Sequence, residues 1–391
     1  MDVLVVESQV QLRVIVRRML EKMRRFDVVA EAGNVEDAWG VLTQSEHPEE
    51  WSLVLCSLQL AAEDGITLLK RCREDAQLHM LPFIMTATSP SEATIATVLG
   101  EWGADDLIVK PFSYETLERR IQYALKRTQS PQMQLYRLAT ELKRTGEVED
   151  ALQLIGQVEL DSKLFTARLL NLKGECLAAK GDVERAVDEF KKSTDICGIY
   201  VEGHKNYASH QLNRGNVEEA ISALRRIEEI GAVDNDRTLL LGKMLLQTGQ
   251  AAEAKTYIDR AVRRLDNKSK DKVLREVADM YLDKGHYSEA EDAYGKLVKR
   301  DHEDVDALNR MGIALRQQGK YEEAEKHYLG GLRAFPHHAG LHHNMGVLYV
   351  AWKKYDKAEQ YLRRALKLNP DAESTKAVLE KVVRFRSANP E

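Results

Sequence analysis

A chain of 391 residues is longer than one hydrophobic core usually serves, and 57 basic against 62 acidic residues, a net charge of −5, give no electrostatic reason to seek nucleic acid or a membrane. Cys56, Cys72, Cys176 and Cys197 lack Cys-x-x-Cys spacing and lie in or beside apolar runs, which reads as reduced structural thiols. With no leader-like start, no apolar stretch of about 18 residues, and no nucleophile elbow, phosphate-binding loop or dinucleotide fingerprint, the expectation is a cytoplasmic protein that is not an enzyme and carries no cofactor.

Within residues 1–128, apolar runs at Val3–Val6, Val28–Ala30, Leu53–Leu58, Phe83–Ala87 and Leu107–Val109 alternate with segments of helical period such as Leu12, Val16, Leu20 and Met23. That alternation predicts a five-stranded parallel sheet covered by helices on both faces. Ligands of such sheets gather at the carboxyl ends of the strands. The basic run Arg17, Arg18, Lys22, Arg24 and Arg25 lies in a segment of net charge −6, with 14 basic and 20 acidic residues, and reads as a solvated helix face, so nucleic acid is not expected as a partner.

The strings "VLVVES", "SLVLCSLQLAAEDG", "LPFIMTATS" and "GADDLIVKPF" occur in that order, and residues 1–128 resemble the receiver domains of two-component response regulators. The resemblance implies a flavodoxin-like, doubly wound α/β fold. It also implies a phosphorylation pocket made of an acidic pair that holds Mg²⁺, a phosphate-accepting Asp ending the third strand, a hydroxyl ending the fourth, and a Lys before Pro ending the fifth. Lys110 and Pro111 match the last of these. The acidic pair is Glu7 and Ser8, Ser57 stands where the Asp would be, Ala87 stands at the hydroxyl position beside Thr88, and Leu107 replaces the aromatic switch residue. Mg²⁺ normally takes one or two carboxylates in octahedral geometry, and a serine without a general base is a weak nucleophile. The expectation is therefore a degenerate receiver without ordinary aspartyl phosphorylation, with Lys110 paired to Glu7. Asp64 is expected as a turn residue before Gly65, and Asp105 and Asp106 as surface turn residues.

A fifth receiver helix is expected over Tyr114–Lys126, and residues 129–134, with Ser130 and Pro131, form a short linker that implies a tight joint. In the receiver family the face made by the fourth helix, fifth strand and fifth helix docks partners or a second copy. A second protein, or a homodimer, is the corresponding expectation here.

From about residue 135 to 370 a Gly followed five residues later by Ala recurs at Gly146/Ala151, Gly181/Ala186, Gly215/Ala220, Gly249/Ala254, Gly285/Ala290 and Gly319/Ala324, with Lys353/Ala358 as a seventh copy. Twelve residues before each Ala stand Ala139, Gly174, Ala208, Gly242, Ala278, Gly312 and Gly346, and four residues after it Ile155, Phe190, Leu224, Ile258, Tyr294, Tyr328 and Leu362. Small residues facing bulky ones are what two closely packed helices require. The period near 34 residues resembles tetratricopeptide repeats, an α-solenoid of about seven helix pairs, with Pro336 and Pro370 ending second helices.

That resemblance places Asn171, Lys205, Asn206, Lys243, Arg275, Asn309, Arg310, His343 and Asn344 on the first-helix groove. Asn and basic side chains there suit an extended peptide or a protein partner. His337, His338, His342 and His343 lack a third defined ligand and a Cys partner, so no metal is expected. Residues 371–391 predict a capping helix with Ala377, Val378, Leu379, Val382 and Val383 inward, followed by a tail. Together these point to a signalling adaptor. Two alternatives remain: a phosphorylatable regulator with repeat output, and a structural assembly factor for a pilus, secretion or polar complex.

Overall fold

The computed structural model describes residues 1–44, 51–61, 63–75, 77–91, 94–95, 97–101, 103–160, 162–232 and 234–388. These fall into two compact units, residues 1–233 and 234–391.

Unit 1 begins with β1 (Asp2–Val6), α1 (Val10–Lys22), β2 (Val28–Ala32), α2 (Val35–Thr43), β3 (Trp51–Ser57), α3 (Ile66–Glu74), β4 (Phe83–Thr88), a single π-helical turn α4 (Thr97–Glu101), β5 (Asp106–Lys110) and α5 (Tyr114–Thr128). The strands pair in parallel in the order β2-β1-β3-β4-β5, the flavodoxin-like arrangement. Because both faces are covered, alternate residues of each strand enter different cores. Leu4, Val54, Cys56, Phe83 and Met85 pack with α2 and α3 on one side. Val3, Val5, Leu53, Leu55 and Ile84 pack with α1 and α5 on the other. All four cysteines are buried free thiols.

Only Gln129 and Ser130 separate α5 from the first repeat helix, α6 (Pro131–Thr145), so the linker is two residues and not the expected six. The cause is local. Ser130 Oγ accepts from Met133 N at 3.2 Å, and Pro131 occupies the first helical turn, where its fixed φ starts a helix immediately.

Unit 1 continues with α7 (Val148–Ile155), α8 (Lys163–Ala179), α9 (Val183–Ile196), α10 (Val201–Asn213) and α11 (Val217–Ile230). Unit 2 holds α12 (Asn235–Gln247), α13 (Ala251–Arg264), α14 (Asn267–Asp283), α15 (Tyr287–Arg300), α16 (Val305–Gln317), α17 (Tyr321–Ala334), α18 (Ala339–Ala351), α19 (Tyr355–Leu368) and α20 (Glu373–Ala388). From α6 to α19 these make seven pairs. In every pair the marker Ala of the second helix is 0% exposed. The size rule is explicit at four glycines: a Cβ on Gly174 would lie 2.6 Å from the Phe190 ring, on Gly242 2.7 Å from Ile258, on Gly312 2.3 Å from Tyr328 and on Gly346 2.6 Å from Leu362. Between the helices of each pair the chain turns through the left-handed region. Glycine supplies it six times, and Lys353, at φ 60°, once.

In α20 the inward stripe is Thr375 and Val382, buried, with Val378 and Leu379, half-buried, spaced i, i+3, i+4, i+7. Ala377, expected inward, lies at least about 100° round the helix from every member of that stripe and is exposed, and Val383, also expected inward, is 37% exposed toward the end of the helix. Residues 389–391 of the expected tail lie outside the described residues.

Candidate functional site

At the carboxyl edge of the sheet, Glu7 follows β1, Ser57 closes β3, Ala87 and Thr88 end β4, and Lys110 ends β5. They line a cavity of 320 Å³ with Gln9, Leu12, Gln59 and Pro111. Lys110 Nζ donates to Glu7 Oε2 at 2.5 Å and to Ser57 Oγ at 2.9 Å. Ser57 Oγ donates in turn to the Gln59 carbonyl at 3.0 Å, and Glu7 Oε1 accepts from Gln9 N at 3.0 Å. Glu7 and Ser57 are 4% and 3% exposed. The arrangement is a closed chain of partners with its ammonium already compensated. Ala87 brings no hydroxyl, Thr88 is exposed one residue further on, and Ser8 is half-buried outside the cavity lining. Glu7 is the only carboxylate among the described residues that line the cavity.

Gly65 is required here. A Cβ on it would lie 2.1 Å from the Ser57 carbonyl oxygen, so the loop after β3 can close over the strand end only without a side chain. Asp64 Oδ1 accepts from Ile66 N at 3.1 Å and sets that turn. Asp105 and Asp106 depart from the surface role expected of them. Asp105 Oδ2 accepts from Phe83 N at 2.9 Å and pairs with Arg73, while Asp106, 8% exposed, pairs with Arg120 at 3.1 Å. Both pin the start of β5, so their charge is held by partners and not by water.

The predicted groove residues are drawn largely into the repeats' own bonding. Asn206 Nδ2 donates to Asn171 Oδ1 and to Glu175 Oε1, each at 3.0 Å, and Asn344 Nδ2 donates to Asn309 Oδ1 at 2.8 Å. Each Asn pair spans 35 residues and ties one first helix to the next. Lys205 bonds Glu202, Lys243 pairs with Glu276, Arg275 with Asp304 and Arg310 with Asp279, while His343 shares a hydrogen bond with Thr375. Arg275 and Arg310 keep 41% and 45% of their side chains exposed, leaving them the most available cations of the predicted set in unit 2. In the His cluster, His338 Nδ1 caps α18, and His342 Nε2 meets the Pro336 carbonyl at 2.9 Å.

Within unit 1 the receiver-like fold and the first repeats share an interface that sequence reasoning missed. The α4 turn packs on α10, and Gly100 comes so close to Ile199 that a Cβ would lie 2.9 Å from its carbonyl oxygen. Arg168 of α8 donates to the Leu99 carbonyl at 2.6 Å, and Arg137 of α6 to the Met80 carbonyl at 2.8 Å. The α4 side of the face expected to dock a partner is therefore covered by the chain's own repeats. Val109 and Tyr123, 49% and 57% exposed, remain open on the β5 and α5 side. No feature of Arg137 or Arg168 in the sequence marks them, since their partners are main-chain atoms 57 and 69 residues away.

Comparison with known proteins gives two kinds of match. Residues 3–122 match the response regulator receiver domain family, and residues 136–197, 207–269 and 303–371 match tetratricopeptide repeat families. A chemotaxis protein CheY homolog of Campylobacter jejuni is 28% identical over 125 residues, 32% of this chain and 92% of that protein. A probable transcriptional regulator, ycf27, of Cyanophora paradoxa is 35% identical over 129 residues, 33% of this chain and 50% of its own. Among solved structures, a tetratricopeptide repeat protein from Parabacteroides merdae is 15% identical, with 64% of this chain and 98% of that chain covered and a TM-score of 0.36. No helix among the described residues is long and apolar enough to cross a membrane. The sheet order, the lysine before proline at the end of β5 and the small-against-bulky spacing of the helix pairs agree with the family matches: residues 3–122 are a response regulator receiver domain, and tetratricopeptide repeats follow it.

Proposed function

We propose that this protein is a non-enzymatic signalling adaptor whose receiver domain does not undergo aspartyl phosphorylation and whose repeats hold a protein or peptide partner. The observation that carries the reading is the closed chain Gln9–Glu7–Lys110–Ser57–Gln59 at the strand ends. Aspartyl phosphorylation requires a carboxylate at this position, and Ser57, which stands there, has its hydroxyl engaged with no general base beside it. Mg²⁺ does not fit the donors present: one carboxylate, already shared between Lys110 and a backbone N–H, is a poor start for an octahedral oxygen shell.

The repeats support the other half of the reading. Arg275 and Arg310 offer half-exposed guanidinium groups on the first helices of unit 2, suited to carboxylates or main-chain carbonyls of an extended segment. The cytoplasm is the compartment in which four buried thiols stay reduced.

The test uses the whole chain incubated with Mg²⁺ and acetyl phosphate, then with Mg²⁺ and beryllofluoride, read by intact mass and by hydrogen exchange over residues 1–9, 53–60 and 106–112. The expected outcome is no phosphoryl adduct and unchanged exchange. A base-labile adduct, or saturable protection at those strand ends, would establish the alternative of a phosphorylatable regulator.

A further inference from the structure

A second cavity, of 220 Å³, lies inside unit 1 between the receiver and the first three repeats. Its polar lining is dominated by Arg73, Arg137 and Arg168, with Tyr136 and Tyr200 as its aromatic wall. One water needs roughly 10–15 Å³ on this measure, so the space is many times larger than a single solvent molecule requires.

The charges around the cavity can be followed one by one. Arg73 pairs with Asp105 at 3.3 Å and donates to the carbonyls of His79, Leu81 and Gly103. Glu202, the other carboxylate in the lining, accepts from Lys205 at 2.8 Å. His79 lies 3.6 Å from Glu141. Arg137 donates through Nη2 to the Met80 carbonyl, and Arg168 through Nη2 to Leu99 and Ala104. Among the described residues neither of these two arginines has a carboxylate partner. Once the paired charges cancel, two cations remain beside the cavity, and among the described residues the bonds of both run through Nη2. Arg168 is 9% exposed. Burial pulls the proton affinity of the Arg73 and Arg137 guanidiniums down; the Asp105 carboxylate partly offsets this at both, and a neighbouring arginine adds to the lowering. A buried cation without a counter-charge is costly, and a guanidinium fork is shaped for two oxygens of one anion.

We propose that this cavity is a binding site for a compact anion of the phosphoryl class, a phosphate monoester or diphosphate, held between Arg137 and Arg168. The two arginines come from consecutive first helices, and both also bond the receiver's main chain. An anion between them ties the receiver to repeats 1 and 2. The site is separate from the strand-end pocket at Lys110 and does not depend on the adaptor reading.

The probe is inorganic pyrophosphate, titrated into the whole chain by calorimetry at constant ionic strength with chloride as the background anion. The expected result is saturable binding that weakens at least tenfold in Arg137→Gln and in Arg168→Gln, is intermediate in Arg168→Lys, and is unchanged in the exposed control Arg185→Gln. Because Arg168 also holds Leu99 in place, hydrogen exchange on the unaltered chain provides an independent arm. Pyrophosphate should slow exchange in residues 97–101, 131–140 and 163–172. Absence of saturable binding, equal binding by the Arg137 and Arg168 variants, or protection that appears instead at residues 1–9 and 53–60 overturns the proposal.

Discussion

Lys110→Met removes the cation that compensates Glu7 while keeping the length and bulk of the side chain. In the native pocket the two side chains are 14% and 6% exposed, and Glu7 keeps only the Gln9 N–H when the ammonium is gone. Breaking one partner out of a buried ion pair costs about 3–5 kcal/mol, and the opening of this pocket toward solvent argues for the lower end, about 3 kcal/mol. Loss of the donor to Ser57 contributes to that figure and does not add a separate large term. At one decade per 1.4 kcal/mol, amide exchange in β1 and β5 accelerates about a hundredfold, read by mass spectrometry on the whole chain so that the repeats serve as an internal reference. Glu7→Gln combined with Lys110→Met should recover most of the loss, because a neutral amide no longer needs the ammonium. A loss under about 1 kcal/mol, or a double variant no better than the single one, would refute the closed-pair account and leave Glu7 available as a cation ligand.

Lys353→Gly should raise the stability of the last repeat by about 1 kcal/mol, seen as a higher melting temperature, since a lysine at φ 60° bears a left-handed penalty that the other six turns avoid; a lower melting temperature refutes this. Gly312→Ala should destabilise unit 2 by about 3 kcal/mol, because the added Cβ falls 2.3 Å from the ring of Tyr328, itself 1% exposed; adding Tyr328→Leu should restore most of it, and a neutral single variant would show that the helix pair can spread freely. His204 and His327 are held below the usual 6.5 by burial, so their contribution to stability is complete above pH 6.5 and is lost as the pH falls toward and through their lower folded values. Each ring faces a main-chain carbonyl, Gly198 at 3.2 Å and Leu308 at 3.1 Å, which glutamine can also meet. The drop in melting temperature between pH 7.5 and 5.5 should therefore shrink in His204→Gln or His327→Gln, and an unchanged drop counts against the assignment.

Much of this architecture was legible because its determinants are local and periodic. The five strands lie within two residues of their apolar runs, and the seven helix pairs follow from a size alternation that the packing of Gly174 on Phe190 and Gly312 on Tyr328 makes physical. The strand-end residues were legible through the resemblance to receiver domains, whose motif assigns residues to the strand ends that a parallel sheet delivers to one edge. What escaped was long-range and bonded to main chain. Asp105 and Asp106 read as turn residues because nothing in their neighbourhood announces Arg73, 32 residues before Asp105, or Arg120, 14 residues after Asp106. The groove residues read as ligand contacts because a sequence does not disclose that Asn171 and Asn206, or Asn309 and Asn344, complete each other. The linker is shorter than the six residues expected, since Ser130 and Pro131 act as a helix start and not as a spacer.

The boundary between compact units falls at residues 233 and 234, more than a hundred residues beyond the change from α/β to all-helical structure at Gln129. Fold type and compactness thus divide the chain at different places. A protein severed near Gln129 would lose the Arg137 and Arg168 clamps and bare the backbone of Gly100 against no neighbour, so the receiver and its first three helix pairs are expected to melt, exchange and be inherited together as one module. For anyone grafting this receiver onto another output, the transferable piece is residues 1–233.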